Sequence, residues 1–317
     1  MPRLKDVMQC LEMLAPQHLA EGWDNIGLMV GHKGQEVKKV LCALDVNEAV
    51  IDEAIKEGAQ CIVSHHPFLY APIKSLDLDT PKGKLIEKLI MHQIAVYSMH
   101  TNYDIAPGGL NDYLCGLLGL KNVTILAPTG KRTFCKVCVY VPISHIEIVR
   151  EKIIAINKCT IGNYKGCTFS SHGEGTFVPL DGSNPFIGKK DQVEKVAEQK
   201  IEFMEYKDEV ATLMAQIKAV HPYEEVAYDV YDLQNISEPI GLGRIGEYSE
   251  PIVFNEFLNR VKQVFKVQYV RLTQEVRHPI TKVAICSGSG SEFMKKAAGK
   301  ADIYITGDMQ FHKGQAA

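Results

Sequence analysis

Two adjacent histidines follow a short apolar run and pose the first question of chemistry. His65 and His66 stand between the segment 61–64 and Pro67. In a regular strand their side chains would point to opposite faces. Because Pro67 favours an extended predecessor and donates no backbone hydrogen bond, we expect the strand to end before it. Both imidazole rings can then turn toward one cavity, where neutral imidazole is a common metal ligand.

Further polar residues stand where neighbouring strands are predicted to end. Asp45 follows one apolar segment, and His100 and Asp104 follow another. Because ligands of open α/β sheets bind beyond the carboxyl ends of the strands, we expect these side chains to meet His65 and His66. Imidazole and carboxylate together select divalent ions such as zinc, iron or manganese. The pattern predicts metal ligands at His65, His66 and Asp104.

His100 is the candidate for proton transfer or substrate orientation at this site. A structural interpretation stays open for the whole set. His65 and His66 could cap a strand and bond only to backbone and solvent, and His100 could orient a ligand rather than bind a metal.

A glycine-rich turn late in the chain is a second candidate for ligand contact. It consists of Ser287, Gly288, Ser289 and Gly290. The turn lies between a predicted strand and a predicted helix, so its amide groups could hold an anion or a substrate. A tight turn without a ligand fits the same residues equally well. Thr306 and Asp308 follow the next predicted strand and join this candidate set.

Three other patterns are interpreted as structural. The glycine pattern at 241–246 matches a dinucleotide fingerprint, but no strand is predicted before it and no helix directly after it. Cys135 and Cys138 have redox spacing but stand in a predicted strand, where residues three apart face opposite sides. The segment 221–225 could chelate a metal through its histidine and glutamates, and a packed strand with a polar entrance is the preferred interpretation.

The elements that must position these residues alternate between strand and helix. We predict an α/β fold, with a mixed, mainly parallel sheet and helices on its faces, built from 1–128 and 234–317. The middle segment, 129–233, has the β-α-β-β-α-β order of a ferredoxin-like domain inserted in the first. We expect linkers at 127–133 and 234–239. Ser144 is the predicted cap of the first helix in the insert.

Composition excludes several classes of protein. The 317 residues are 46% hydrophobic, enough for two packed domains, and the net charge of -3 argues against a nucleic-acid partner. No uninterrupted apolar run is long enough for a membrane span, and the N-terminal segment does not resemble a signal peptide. Nine cysteines, an odd count without an export signal, favour a reducing compartment, so we expect a cytoplasmic protein.

Five motifs resemble the GTP cyclohydrolase I type 2 homologue family, and the insert resembles the CutA/PII-like fold carried by some bacterial members. The motifs are "EGWDNIGLMVG" (21–31), "SHHPF" (64–68), "HTNYD" (100–104), "GLGRIGE" (241–247) and "YITGDMQFH" (304–312). The resemblance implies two divalent metal ions per subunit, zinc first, with iron or manganese as alternatives. It also implies a ring-shaped homohexamer, a trimer of dimers with the metals facing an interior cavity, and an unknown small-molecule ligand.

Residue by residue, His65, His66 and Asp104 match metal ligands of the family. The family's remaining two ligands are a His and a Glu in a motif downstream of the segment that matches 306–312. This sequence stops at Ala317, before any such motif, so we expect an incomplete metal site in this chain.

Two functions follow from these expectations. The first is a metal-dependent hydrolase that cleaves a C–N bond in a small heterocycle such as GTP, with water activated by the cation as nucleophile. The alternative is a non-enzymatic metal-binding regulatory or adaptor oligomer that senses a small ligand through the inserted domain.

Overall fold

The computed structural model describes residues 1–315, which form a mixed α/β fold. The helices are α1 (Leu4–Leu14), α2 (Glu48–Glu57), α3 (Pro81–Met91), α4 (Thr101–Ile105), α5 (Leu110–Leu118), α6 (Ile146–Ile156), α7 (Val210–Lys218), α8 (Phe254–Phe265), α9 (Met294–Ala297) and α10 (Phe311–Gln315). The strands are β1 (Gly27–Val30), β2 (Val40–Ala43), β3 (Cys61–Ser64), β4 (Ala95–Ser98), β5 (Lys121–Pro142), β6 (Thr160–Ile161), β7 (Tyr164–Lys165), β8 (Thr168–Phe177), β9 (Glu194–Tyr206), β10 (Tyr228–Ile252), β11 (Ile280–Cys286) and β12 (Ile303–Thr306).

The chain divides into two compact units. Unit 1 comprises Met1–Gly130 and the chain from Ile240, and unit 2 comprises Lys131–Pro239. Strands β5 and β10 each begin in one unit and end in the other.

A four-stranded sheet in unit 1 has the order β1-β4-β3-β2. Strands β2, β3 and β4 are parallel, and β1 is antiparallel to β4. The carboxyl ends of β2, β3 and β4 therefore lie at one edge of the sheet. Asp45, His65 and His100 each follow one of these ends by two residues or fewer.

Helices α2 and α3 bury their apolar sides with this sheet. The cluster includes four fully buried side chains, those of Ile51, Ile62, Leu89 and Val96. Burying each such aliphatic side chain contributes about 1.5–3 kcal/mol. Asn47 caps α2, because its Oδ1 accepts a hydrogen bond from the Val50 amide at 3.0 Å.

Further strands of unit 1 form a second mixed sheet rather than extending the first. In it β10 is antiparallel to β11, and β11 is parallel to β12. Helices α5 and α8 pack against this sheet. Cys115 of α5 and Phe257 of α8 share a buried core with Val283 of β11. The glycine-rich turn follows β11 directly.

Unit 2 follows the element order β5-α6-β8-β9-α7-β10, with the short hairpin β6–β7 between α6 and β8. Its strands lie in the order β10-β5-β9-β8, and β9 is antiparallel to both β5 and β8. One core joins α6 and α7 to the sheet, with Val139, Val149, Ile201 and Ile217 each at 0% exposure.

Three local predictions differ from the structure. The segments 127–133 and 234–239 contain or adjoin the boundaries between the two units, as expected of hinges, but they are strand rather than loop, within β5 and β10, because pairing with a neighbouring strand overrides weak local propensity. Ser144 does not cap α6, which begins at Ile146 after a short 3₁₀ turn, and its hydroxyl instead bonds to the His145 ring at 2.9 Å.

Two structural interpretations agree with the coordinates. The pattern at 241–246 lies inside β10, so no helix opens on it. Cys135 and Cys138 are buried in β5, and burial raises the Cys135 pKa to about 11. Among residues 1–315, no helix combines the length and apolar character needed to cross a membrane.

Candidate metal centre

Three histidines converge beyond the carboxyl edge of the four-stranded sheet. The potential ligand atoms of His65, His66 and His100 all lie within 4.8 Å of one another. The ring centroid of His65 lies 5.2 Å from that of His66 and 5.2 Å from that of His100. Two consecutive residues thus turn their rings toward one place, which the alternation of a continued strand would forbid.

Backbone hydrogen bonds hold the histidine doublet just past the end of β3. The His65 amide donates to the Ala43 carbonyl at 3.2 Å, and the His66 amide donates to the Leu44 carbonyl at 2.9 Å. The Ser64 hydroxyl donates to the His66 carbonyl at 2.9 Å. The doublet is therefore fixed to the end of β2, rather than standing on a mobile loop.

Each histidine uses its Nδ1 atom in a hydrogen bond. His65 Nδ1 lies 3.0 Å from the Met99 carbonyl oxygen, and His66 Nδ1 lies 2.8 Å from Asp45 Oδ1. His100 Nδ1 lies 2.9 Å from Asp24 Oδ1. Because these oxygens accept, each ring carries its proton on Nδ1 and keeps Nε2 for another partner. Carboxylates and carbonyls orient metal-binding histidines in this way.

Asp104 adds a buried carboxylate to the cluster. Its Oδ2 atom lies 3.9 Å from His65 Nε2, and the residue is 8% exposed. Its other oxygen, Oδ1, accepts a hydrogen bond from the Ser287 hydroxyl at 2.8 Å. The last turn of α4 thus presents this side chain to the histidine doublet, while the glycine-rich turn fixes its orientation.

Burial dominates the protonation of the His65–Asp104 pair. It lowers the pKa of His65, although the Asp104 charge acts in the opposite direction. It also raises the pKa of Asp104, against the effects of His65 and the Ser287 hydrogen bond. A low pKa keeps His65 neutral near pH 7, which is the state that binds a metal.

The pKa of His100 shifts in the opposite direction to that of His65. The hydrogen bond to Asp24 raises the pKa of His100 more than burial lowers it. Burial by itself would raise the pKa of Asp24, but hydrogen bonds from His100 and Thr101 lower it overall. The pair therefore favours the charged forms of both partners, an imidazolium next to a carboxylate. The Asp24 side chain is fully buried.

The donor set fits a borderline divalent cation. Neutral imidazole nitrogens and a carboxylate are typical ligands of zinc and related ions. Their Nδ1 partners supply the outer hydrogen bonds that such ligands need. His65, His66 and His100 are the residues whose ligand atoms lie close enough together to hold one ion, and Asp104, a predicted ligand, lies beside them at 3.9 Å from His65 Nε2.

The glycine-rich turn uses most of its polar groups in contacts with neighbouring residues of the chain, chiefly those at 304–308. The Gly290 amide donates to Thr306 Oγ1 at 2.9 Å, and that hydroxyl donates to the Gly288 carbonyl at 3.0 Å. The Asp308 amide donates to the same carbonyl at 2.9 Å. Ser287 reaches Asp104, and Ser289 precedes a 3₁₀ turn. These contacts favour the tight-turn alternative over an anion cradle.

Two residues that organise the site were not predicted from the sequence. Asp24 lies 76 positions before His100, so only the fold brings them together. Arg244, inside the glycine pattern of β10, is 4% exposed and bonds to Asp112 and to the Ile105 carbonyl next to Asp104. The one sequence signal for Arg244 was its position, a single arginine among glycines in a segment that is not predicted to be helical.

The family model for Duf34/NIF3 (NGG1p interacting factor 3) matches residues 2–317. A Halalkalibacterium halodurans protein named GTP cyclohydrolase 1 type 2 homolog is 43% identical over 307 residues, covering 96% of this chain and 82% of the relative. The resemblance to the GTP cyclohydrolase I type 2 homologues is thus confirmed.

Solved structures give the same result. The Bacillus cereus protein related to NIF3 has a TM-score of 0.85 and 42% identity, covering 100% of this chain and 85% of that chain. Staphylococcus aureus protein SA1388 has a TM-score of 0.67 and 31% identity, covering 100% of this chain and 84% of that chain. The chain belongs to the Duf34/NIF3 (NGG1p interacting factor 3) family.

Proposed function

We propose that this protein binds divalent metal at the histidine cluster and hydrolyses a C–N bond of a small heterocycle. One observation carries the proposal: three imidazoles converge within 4.8 Å, and each has its Nδ1 atom held by an oxygen. A histidine that only caps a strand needs no such matched orientation. A bound divalent cation would supply Lewis acidity and a nucleophile at neutral pH, because it lowers the pKa of water.

The residues divide into binding and proton-handling roles. His65, His66 and Asp104 hold the cation, and the Met99 carbonyl and Asp45 orient the two imidazoles. His100 holds a proton next to the cation site, because Asp24 stabilises its charged form. A group of this kind can protonate a departing amine nitrogen.

The number of ions is part of the proposal. Two ions about 3.5–4 Å apart suit adjacent imidazoles, one ring for each. His65, His66 and Asp104 are few ligands for two ions, so a second ion requires further donors. In the alternative role, His100 would be neutral and would supply a third nitrogen for a single ion, since its ligand atom lies within 4.8 Å of those of His65 and His66. Zinc is the first candidate, and iron and manganese are the others.

The substrate class comes from relatives. Several of them carry the name GTP cyclohydrolase 1 type 2 homolog, which points to a purine ring or another nitrogen heterocycle. The test is release of formate from GTP by zinc-, iron- or manganese-loaded protein. We expect turnover in the parent chain and none in a His65→Ala/His66→Ala variant. Equal formate release by both proteins would contradict the proposal.

A regulatory oligomer is the second candidate, and unit 2 favours it. This unit has its own core and the β-α-β-β-α-β order, which supports a ferredoxin-like inserted domain of CutA/PII-like type. We propose a homohexamer in which unit 2 senses a small ligand. Saturable thermal stabilisation of the whole chain by a nucleotide, without turnover and retained after His65→Ala/His66→Ala substitution, would favour this function.

A further inference from the structure

Two large aromatic side chains stand exposed next to the histidine cluster. Trp23 is 59% exposed and Tyr70 is 61% exposed, and their ring centroids lie 6.3 Å apart. Trp23 also meets the ring of His100 edge-on, at a centroid distance of 6.2 Å. An exposed pair of aromatic rings beside a group of potential ligand atoms has the composition of a binding surface, where aromatic side chains stand next to a few convergent polar groups.

Hydrogen bonds fix the loops that carry the two rings. Trp23 precedes Asp24, whose fully buried side chain bonds to His100 and Thr101. The Asn25 side-chain amide donates to the Leu69 carbonyl, which joins the loop of Trp23 to the loop of Tyr70. The rings are thus exposed on backbone that is held in place, which lowers the entropy cost of binding.

The geometry decides how a ring could bind. A ring inserted between two parallel aromatics needs them about 7 Å apart, twice a normal carbon–carbon contact. The Trp23 and Tyr70 planes are inclined by 53° with centroids at 6.3 Å, so no ring fits between them. A flat ligand must lie on an outer face of the pair, and the contact of Trp23 with His100 places that pair next to the histidines.

We propose that Trp23 and Tyr70 form a stacking surface that positions a planar nitrogen heterocycle against the cluster of His65, His66 and His100. This inference rests on the proposed function, and it assigns to these two residues the recognition of the ring. Aromatic stacking accepts any flat ring, so the surface selects ring shape and leaves the phosphates or sugar to other contacts. Both are positioning residues.

The binding test uses intrinsic fluorescence, since Trp23 is the chain's only tryptophan. The full chain is loaded with Zn²⁺, whose filled d shell does not quench emission. GTP is expected to change the tryptophan emission saturably, and inorganic tripolyphosphate is expected to leave it unchanged. Equal changes with both compounds, or no binding of GTP, would overturn the stacking surface.

Variants test the contribution of each ring by calorimetry. Trp23→Ala and Tyr70→Ala should each raise the Kd for GTP by at least about fivefold, and Trp23→Phe should raise it less. Tyr269→Ala, which removes another exposed aromatic of unit 1, is the control and should leave Kd unchanged. Parental Kd values in both alanine variants would overturn the inference. A changed association state of these variants in sedimentation, without a change in their Kd for GTP, would also overturn the inference.

Formate release in the same samples separates this inference from the proposed function. Binding of GTP that depends on Trp23, without turnover, supports the stacking surface and removes the hydrolase. Turnover with a KM that neither alanine substitution changes supports the hydrolase and overturns the stacking surface. Tyr70→Ala and Trp23→Phe keep the test decisive if Trp23→Ala does not fold.

Discussion

Asp45 Oδ1 accepts a hydrogen bond from His66 Nδ1 at 2.8 Å, which fixes both the tautomer and the direction of the most exposed ring of the cluster. The backbone holds His66 at the end of β2, the strand after which Asp45 stands. Adjacent parallel strands thus supply an imidazole of the candidate metal centre and the carboxylate that orients it. Such an orienting carboxylate is typical of metal-binding histidines, and adjacency of two histidines in the sequence does not by itself provide one.

The first prediction concerns Asp45→Asn. We expect the affinity for Zn²⁺ to fall by about 10-fold, the lower end of the range for such partners, because both side chains are half-exposed to solvent. Competition with a chromogenic chelator measures the change. Asp79→Asn, at an exposed turn, is the matched control. An unchanged affinity in Asp45→Asn would show that the contact does not orient a ligand.

Arg244→Met is predicted to destabilise unit 1. Arg244 is 4% exposed and bonds to both carboxylate oxygens of Asp112 and to main-chain carbonyls of Ile105 and Gly241. Its removal takes the charged partner from Asp112, which keeps the Gly108 amide as a donor, and removes one donor from each of those carbonyls, at a cost of about 3–5 kcal/mol. Urea unfolding measures the loss, and Arg260→Met, on the surface of α8, is the control. A loss equal to that of the control would contradict this role.

Two glycine substitutions should act in opposite directions. A Cβ atom at Gly290 would lie 2.6 Å from Tyr304 Oη and 2.7 Å from Thr306 Oγ1, so Gly290→Ala must displace the turn that carries Ser287. Gly116 stands in α5 with nothing within 4 Å of an added Cβ, and Gly116→Ala should stabilise by up to about 1 kcal/mol. Thermal unfolding compares the two, and a lower Tm for Gly116→Ala would be the contrary result.

The pH dependence of stability tests a buried carboxyl in unit 2. Glu205 is 2% exposed, and burial raises its pKa above the ordinary value of 4.5 despite a hydrogen bond from the Tyr206 amide. The unfolded chain therefore loses this proton first as pH rises. The loss of stability due to Glu205 grows as the pH rises from 4.5 to the folded-state pKa and stays constant above it, at about 1.4 kcal/mol for each unit of the shift.

The substitution Glu205→Gln removes this loss. We expect the variant to exceed the parent chain in stability at pH 8 by more than it does at pH 5, measured by urea unfolding of both proteins. Glu225→Gln, at an exposed position of the same unit, should show no such difference. A stability gain of equal size at both pH values would point to packing rather than charge.

Much of the site's framework could be predicted from local signals. Pro67 indicates where β3 ends, and the parallel order of β2, β3 and β4 places Asp45, His65 and His100 at one edge. Asp24 could not be found this way, because its loop meets His100 only through tertiary contacts.

The errors in local structure have a similar cause. The segments 127–133 and 234–239 contain the proline, glycine and polar residues typical of linkers. They form strands because β5 and β10 are neighbours, and pairing supplies the hydrogen bonds that local propensity does not favour. Ser144 is a good capping residue, but the 3₁₀ turn at Ile143–His145 moves the start of α6 beyond it.

The most direct measurement is the metal content of the protein after equilibration with Zn²⁺ and gel filtration, determined by elemental analysis. The account predicts at least one tightly held ion per chain in the parent protein. It predicts close to none in His65→Ala/His66→Ala, and full retention in a His278→Ala control, whose ring is exposed. Equal zinc content in the doublet variant and the parent protein would contradict the claim that these imidazoles hold the ion.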